Sequence, residues 1–369
     1  MATNDLLNKS VRQAFLHGAG DVRIEQVPHP PLLPGHIALA PKFCGICGSD
    51  LHFFHDVGFA DTLKTPHPIT GAKLPVATGH EFAGVVTGVG EGCGGELKVG
   101  DKVAIMPTIY DGTCSSCVAG ATNTCSQSGY YGINSKTGGM SDGAVIPEEL
   151  VFKLPDGIDC DVGALIEPLA VAWHAIGLAP GSLTAQTTAL ILGAGPVGAA
   201  VLVGLKAKGV TRIAVSELSA ARREFISQID SDAVALNPME SNLPTDLRTT
   251  FQRPDGMDLV FDCAGVGPTM DTAIACARPR GTIINLFVST SPTTFHSLPM
   301  TLKELFLRSS IAYTKEDFTE VIEAIAQGKM DPRRLITKRI KLEDVVEEGL
   351  VSLHHKDNKN CKILVDLSL

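Results

Sequence analysis

Two stretches of this 369-residue chain concentrate side chains that bind metal ions. Cys44-Gly-Ile-Cys47-Gly-Ser49-Asp50-Leu-His52, followed later by Gly79-His80-Glu81, supplies thiolate, imidazole and carboxylate donors. That mixture suits zinc with an open coordination position, because zinc takes sulfur, nitrogen and oxygen ligands and a catalytic site leaves one place for substrate. A Cys-x2-Cys pair can also be a redox couple. No thioredoxin-like βαβ context surrounds this one, and the neighbouring Ser, Asp and His make a metal site with a proton relay the more economical reading.

A third stretch could bind a nucleotide. Gly193-Ala-Gly195-Pro196-Val197-Gly198 follows an apolar run and opens a helical pattern. In that context three glycines give a tight turn, close approach of a pyrophosphate and close packing of the helix on the strand. Glu217 lies 19 residues beyond Gly198, at the end of the next apolar run, where a carboxylate can accept hydrogen bonds from the adenosine ribose. It would repel a 2′-phosphate, which favours NAD over NADP. Arg222 and Arg223 argue the other way, being near enough in sequence to attract one.

These residues need elements to hold them. Residues 1–160 are rich in Gly and Pro with short β-prone runs such as Phe82 to Gly90 and Lys102 to Met106, which reads as a mainly β domain. From about Thr188 the pattern becomes strand Ala189 to Leu192, glycine turn, helix Ala199 to Lys208 and strand Arg212 to Ser216. Further buried strands are expected at Asp232 to Leu236, Met257 to Phe261 and Thr282 to Phe287. Such a βαβ series implies a parallel sheet with helices on both faces. After Leu307 come a helix around Glu316 to Gln327, a segment Leu335 to Lys341, a helix around Leu342 to His354 and a last strand at Lys362 to Asp366, too little for a third domain. There is no internal repeat and no low-complexity tract.

Length favours two domains. A net charge of -9 without a long basic run argues against nucleic acid or an anionic membrane as partner, leaving small-molecule chemistry. Met1 to Gly20 has no apolar stretch of signal-peptide type and no window is long enough to span a membrane, so a soluble, cytoplasmic protein is expected. The close-spaced groups among its 10 cysteines look like metal ligands, and the isolated Cys93, Cys160, Cys263, Cys276 and Cys361 like packed thiols.

The stretches CGICGSDLH (44–52), GHEFAGVV (79–86), VGDKV (99–103), ALIEPLAVAWHA (164–175) and GAGPVG (193–198) together resemble the zinc-containing medium-chain dehydrogenase/reductase family, and most closely its 2,3-butanediol and sorbitol dehydrogenase branch. The resemblance covers nearly the whole chain. It implies an α/β protein: a discontinuous GroES-like mainly β catalytic domain (1–168 and 311–369) embracing a Rossmann domain (169–310), with catalysis in the cleft between them and a homo-dimer or homo-tetramer as the assembly. It implies Cys47 and His80 as zinc ligands, Glu81 and Glu167 ligating directly or through water, and Cys44 packed beside the site. A glutamate at 167, where relatives acting on simple alcohols typically carry cysteine, points to diols and polyols. Ser49 would hydrogen-bond the reacting oxygen, His52 would pass its proton towards solvent, and Asp50 would orient a ligand imidazole. The metal's part would be Lewis-acid catalysis of hydride transfer between a secondary alcohol and NAD.

Many relatives hold a second, structural zinc on four cysteines. Here the same spacing reads Asp111, Cys114, Cys117 and Cys125, with a carboxylate in the first place that can still ligate. Pocket residues implied by the resemblance are Phe53, His55, Tyr110, Leu169, Phe287 and Tyr313, some of which would be core. Sorbitol-type relatives carry an Arg-Tyr pair where this chain has Ala312-Tyr313, so a short vicinal diol or hydroxyketone is expected before a long polyol. A larger biosynthetic intermediate and a binding protein without turnover are the rival readings, and the full catalytic set argues against the latter. The stretch His52 to Pro75 reads as a long loop insertion, with His55 and His67 as solvated residues.

Overall fold

The structure is a computed structural model that describes residues 10–288, 292–355 and 358–369. The first nine residues of the amino-terminal stretch read above lie outside the described residues. The chain divides into two compact units, one of Met1–Glu167, Thr314–Ile322 and Ile336–Leu369, the other of Pro168–Tyr313 and Glu323–Leu335.

The first unit is built on a seven-stranded sheet. Its order is Val151–Lys153, Lys102–Ile105, Glu81–Val89, His36–Gly45, Lys362–Asp366 and Ile336–Ile340, with Ala144–Pro147 also pairing His36–Gly45. Alternating apolar positions turn Ile37, Leu39, Phe82, Val103, Ile146, Ile363 and Val365 into one core, each large side chain contributing roughly 1.5–3 kcal/mol when fully buried. Register does the rest: Gly45 pairs with Glu81 on one side and with Leu364 on the other, which brings the carboxyl end of one strand, the Gly-His-Glu motif and the last strand side by side.

The second unit holds a six-stranded, all-parallel sheet in the order Val234–Leu236, Arg212–Ser216, Thr188–Leu192, Met257–Asp262, Ala277–Asn285, Phe306–Ser309. In sequence order that is 3-2-1-4-5-6, the doubly wound nucleotide-binding arrangement. Thr188–Leu192 is buried at every position, as a strand covered on both faces must be. The helix after it, Pro196–Ala207, starts on Gly195 with Pro196 in the first turn, where proline's missing N–H costs nothing, and stops before Gly209, which takes φ 85°.

Some elements depart from expectation. His52 to Pro75 is not an open loop: helices Gly48–His55 and Val57–Thr62 occupy much of it, and Asp56 starts the second by accepting from the N–H groups of Gly58 (2.7 Å) and Phe59 (3.3 Å). Neither loop histidine is merely solvated. His67 is buried, takes the Thr70 N–H at 3.3 Å and places Nε2 3.3 Å from the Ser128 carbonyl; His55 places Nε2 3.1 Å from the Leu350 carbonyl and stacks on His354. The single helix expected over 342–354 is a 3-10 turn Leu342–Asp344, a π-helical stretch Val345–Val351 and a last α turn Ser352–His354. Val345 and Leu350 reach the core from the wide turns, and a Cβ on Gly349 would lie 2.5 Å from Ile46 Cδ1. Ala277–Asn285 begins before Thr282, and the edge strand Phe306–Ser309 carries too short an apolar pattern to announce itself.

Candidate metal centre and nucleotide site

Strand His36–Gly45 delivers the chain to Cys47, which starts helix Gly48–His55 in an extended conformation. Asp50, in the first turn, accepts the Cys47 N–H at 2.8 Å and so fixes the thiol-bearing residue at the helix start. Cys47, His80 and Glu81 present sulfur, nitrogen and oxygen within 4.8 Å of one another. From such separations all three can meet one zinc ion at about 2.0–2.3 Å. His80 is 3 % exposed; its Nε2 lies 3.2 Å from the Ser49 hydroxyl, while Nδ1 is buried without a hydrogen bond, 3.7 Å from Asp50 Oδ1. Burial opposes a charge on this imidazole, yet Asp50, Cys47 and Glu167 outweigh it and draw its pKa well up. An imidazole so surrounded by anionic groups belongs to a place where a cation fits.

Glu81 is fully buried and is held by a residue that the sequence reading missed. Lys362, 4 % exposed at the start of the last strand, donates from Nζ to both Glu81 oxygens at 2.8 and 2.7 Å and to the Ile46 carbonyl at 3.2 Å. Burial works against its ammonium, but Glu81 and then Cys47 raise its pKa and keep it charged. Gly45 makes room: a Cβ there would stand 2.1 Å from Glu81 Oε2. The signal for Lys362 was its place at the head of the apolar run Lys-Ile-Leu-Val-Asp.

Glu167 is buried in the first turn of helix Ile166–Gly177, outside the Cys47–His80–Glu81 cluster, though its charge acts on His80. Tyr130, also missed, sets its ring 6.1 Å from that of His80, and burial, with Glu167 and Cys47, holds its phenol protonated. Cys44 is fully buried, its thiol turned to the Gly45 carbonyl at 3.6 Å, and burial pushes its pKa up. His52 is exposed and stacks on Phe59 at 5.0 Å. Among the described residues no hydrogen bond joins it to Ser49.

Asp111, Cys114, Cys117 and Cys125 likewise bring their ligand atoms within 4.8 Å of one another, on the excursion between the paired strands Thr108–Ile109 and Gly129–Tyr130. The Asp111 carboxylate accepts from the N–H groups of Cys114 (2.8 Å) and Thr113 (2.7 Å), which lower its pKa to about 2. Backbone N–H groups of Cys117 and Ser126 bring the Cys114 thiol down to about 7, while burial and then Cys114 push Cys117 up to about 12. Cys125 Sγ accepts from the N–H groups of Asp111 and Gln127, both at 3.4 Å. Four donors and a backbone that favours anionic sulfur fit a closed tetrahedral zinc site.

In the second unit Gly193 takes φ 96°, and a Cβ on Gly198 would stand 1.9 Å from the Gly193 carbonyl oxygen, so helix and strand meet where only glycine fits. Gly195, Pro196 and Val197 form the start of the helix. Glu217 follows strand Arg212–Ser216; Oε2 accepts from Ala194 N and Oε1 from Ser219 N, both at 2.8 Å. The carboxylate is thus fixed beside the glycine turn. Arg223 is tied to the carbonyls of Glu217 (2.8 Å) and Leu218 (2.6 Å), whereas Arg222 uses its backbone N–H on Ser219 Oγ at 3.4 Å. The suggested pocket residues split: Leu169 and Tyr313 are core, at 1 % and 0 % exposure, while Phe53, Tyr110 and Phe287 are half-buried and His55 is exposed.

Residues 33–156 match the alcohol dehydrogenase GroES-like domain and residues 196–327 the zinc-binding dehydrogenase domain. The chain is 33 % identical to (R,R)-butanediol dehydrogenase of Neisseria gonorrhoeae, covering 97 % of this chain and 100 % of that one. It is 35 % identical to a probable diacetyl reductase ((R)-acetoin forming) of Saccharomyces cerevisiae, over 96 % and 90 % of the two chains. The crystal structure of 2R,3R-butanediol dehydrogenase from Bacillus subtilis superposes with a TM-score of 0.89 at 33 % identity, over 97 % of this chain and 99 % of that one. With a thiolate–imidazole–carboxylate cluster in a GroES-like unit and a glycine fingerprint on a 3-2-1-4-5-6 sheet, this chain belongs to the zinc-containing medium-chain dehydrogenase/reductase family, in the branch that includes the butanediol dehydrogenases.

Proposed function

We propose that the protein interconverts a small vicinal diol of the 2,3-butanediol kind and the matching hydroxyketone, with NAD as hydride carrier and zinc as Lewis acid. The observation that carries this reading is the donor cluster: the thiol of Cys47, the imidazole of His80 and the buried carboxylate of Glu81, with the charge of buried Glu167 acting on His80 from outside it, in place of a two-cysteine site. It agrees with relatives named for butanediol, diacetyl and acetoin. Cys47, His80 and a carboxylate of Glu81 or Glu167 would hold the ion, and a bound zinc makes an alcohol oxygen easier to deprotonate. Ser49, whose hydroxyl faces His80, would accept the alcohol proton while releasing its own, and exposed His52, not hydrogen-bonded to it, would receive the released proton through solvent. Asp50 fixes Cys47 through its N–H and faces the ring of His80 across 3.7 Å. Glu217 selects NAD by repelling a 2′-phosphate. We take 1–168 and 311–369 as the catalytic domain that carries the metal-binding residues and 169–310 as the nucleotide-binding domain that carries the fingerprint, with 311–313 and 323–335 packed into the compact unit of the latter. Asp111, Cys114, Cys117 and Cys125 hold a second, structural zinc.

We further infer a homo-oligomer. The edge strand Phe306–Ser309 is exposed throughout, and beside it in sequence helix Ser297–Leu302 exposes Leu298 and Leu302, an apolar edge that a second copy of the chain would cover. Ten cysteines without a disulfide suit a reducing compartment, the cytoplasm. No helix among the described residues is long and apolar enough to cross a membrane.

The reading is tested by zinc analysis of the purified protein together with NADH formation on 2,3-butanediol, sorbitol, xylitol and ethanol. It requires about two zinc ions per chain and the highest kcat/KM on the vicinal diol. Preference for a six-carbon polyol or for ethanol would overturn the substrate class, and one zinc ion per chain would remove the structural site.

A further inference from the structure

The parallel sheet has a second end. Its carboxyl edge carries Gly193 and Glu217, while the amino-terminal edge opens on a cavity of about 290 Å³ whose walls include Arg253, Asp258, Arg278, Thr282 and the loop residues Ser182 and Thr184. The cavity is formed by a departure from regular pairing. Met257–Asp262 pairs with Ala277–Asn285 first at Met257–Ala277 and next at Leu259–Thr282, so residues 278–281 leave the sheet as a bulge. Within it Arg280 takes φ 56°, a left-handed conformation that a non-glycine residue rarely adopts, and its N–H donates to the Lys303 carbonyl at 2.7 Å. Bulges re-aim side chains. This one lays Arg278 over Asp258.

Charge in the cavity does not balance. Arg278 Nε and Arg253 Nη2 both donate to Asp258 Oδ1 at 2.7 Å, and Asp258 Oδ2 takes the Thr188 N–H and hydroxyl, both at 2.9 Å. The carboxylate is saturated, and two guanidinium groups face one anion. Arg278 Nη1 is taken by the Pro279 carbonyl at 2.9 Å. Among the described residues, Nη2 of Arg278 and both Nε and Nη1 of Arg253 have no protein acceptor. Thr282 adds an independent sign: it lines the cavity, is 1 % exposed, and its hydroxyl is buried with no hydrogen-bond partner. A planar guanidinium with spare donors, doubled in a concave site beside a hydroxyl, matches a tetrahedral oxyanion.

The geometry points to an oxyanion site in this cavity, taking inorganic phosphate or the phosphate group of a small ester on Arg253, Arg278 and the Thr282 hydroxyl. It lies at the opposite end of the strands from the nucleotide fingerprint, so occupancy is independent of NADH. None of the lining residues belongs to the metal or nucleotide site, so occupancy acts on the stability of the sheet's amino edge.

Calorimetric titration of the full-length protein with inorganic phosphate, and separately with glycerol phosphate, at constant ionic strength, once without and once with saturating NADH, decides the matter. Saturable binding of either is expected, and the tighter of the two identifies the source. Arg253→Met and Ser182→Glu should each weaken it about tenfold or more. Ser182 is an exposed loop residue, so its variant tests the site without touching the Asp258 ion pairs. Absence of saturable binding by the wild type, displacement by NADH, or unchanged affinity in Ser182→Glu would each overturn the site.

Discussion

Lys362 shows how a residue outside every motif can decide the chemistry inside one. A fully buried Glu81 carboxylate is tolerable because Lys362 donates to both of its oxygens from an adjacent strand. Removing one member of a buried pair strands the other, at a cost of about 3–5 kcal/mol. Lys362→Met should therefore lower unfolding stability in urea by about that much, and Lys362→Met combined with Glu81→Gln should recover most of the loss. A single variant as stable as wild type would show that Glu81 does not depend on its partner. The motif residues themselves were legible: Cys47, His80 and Glu81 stand out because thiolate, imidazole and carboxylate crowd into two short runs. Lys362 and Tyr130 were not, because what places them by the cluster is strand register and the return of the chain after residue 110. A lysine at the head of a strand looks solvent-facing until its neighbours are known.

Strands and helices carry the next set of constraints. Gly198 faces the Gly193 carbonyl so closely that Gly198→Ala must push helix Pro196–Ala207 off strand Thr188–Leu192. Overpacking of this kind costs about 1–3 kcal/mol, so NADH affinity by fluorescence titration should fall roughly tenfold. At the other end of the sheet, Asp258 ties Thr188 to Arg253 and Arg278. Burial alone would raise its pKa, but Arg278 and Thr188, with Arg253, pull it below the usual carboxylate range. A depressed folded pKa stabilises the protein above the unfolded value, near 3.9, and that contribution fades as pH falls through the folded value. Asp258→Asn should accordingly cost about 1–3 kcal/mol at neutral pH and progressively less below pH about 4; an equal deficit at both would contradict the ion-pair account. The regular parts of this sheet could be read from apolar runs bounded by glycine. The bulge at 278–281, the edge strand and the π-helical turns at 345–351 could not, since packing against neighbours sets them and no local period marks them.

At the scale of the molecule, the family's two-domain plan followed from motif order. Assembly and substrate size depend on surfaces that no motif encodes. If the edge beside Leu302 joins two copies, Leu302→Glu should shift the light-scattering mass towards that of a single 38.9 kDa chain, while an unchanged mass would place the interface elsewhere. On the function proposed above, Cys47 belongs to a zinc site that drives NAD-linked oxidation of a vicinal diol. The most direct test of that function is the initial rate of NADH formation from 2,3-butanediol by zinc-loaded wild type and Cys47→Ala. Steady turnover by the wild type is expected, with a loss of at least about a thousandfold in the variant. Comparable rates for the two proteins would contradict it.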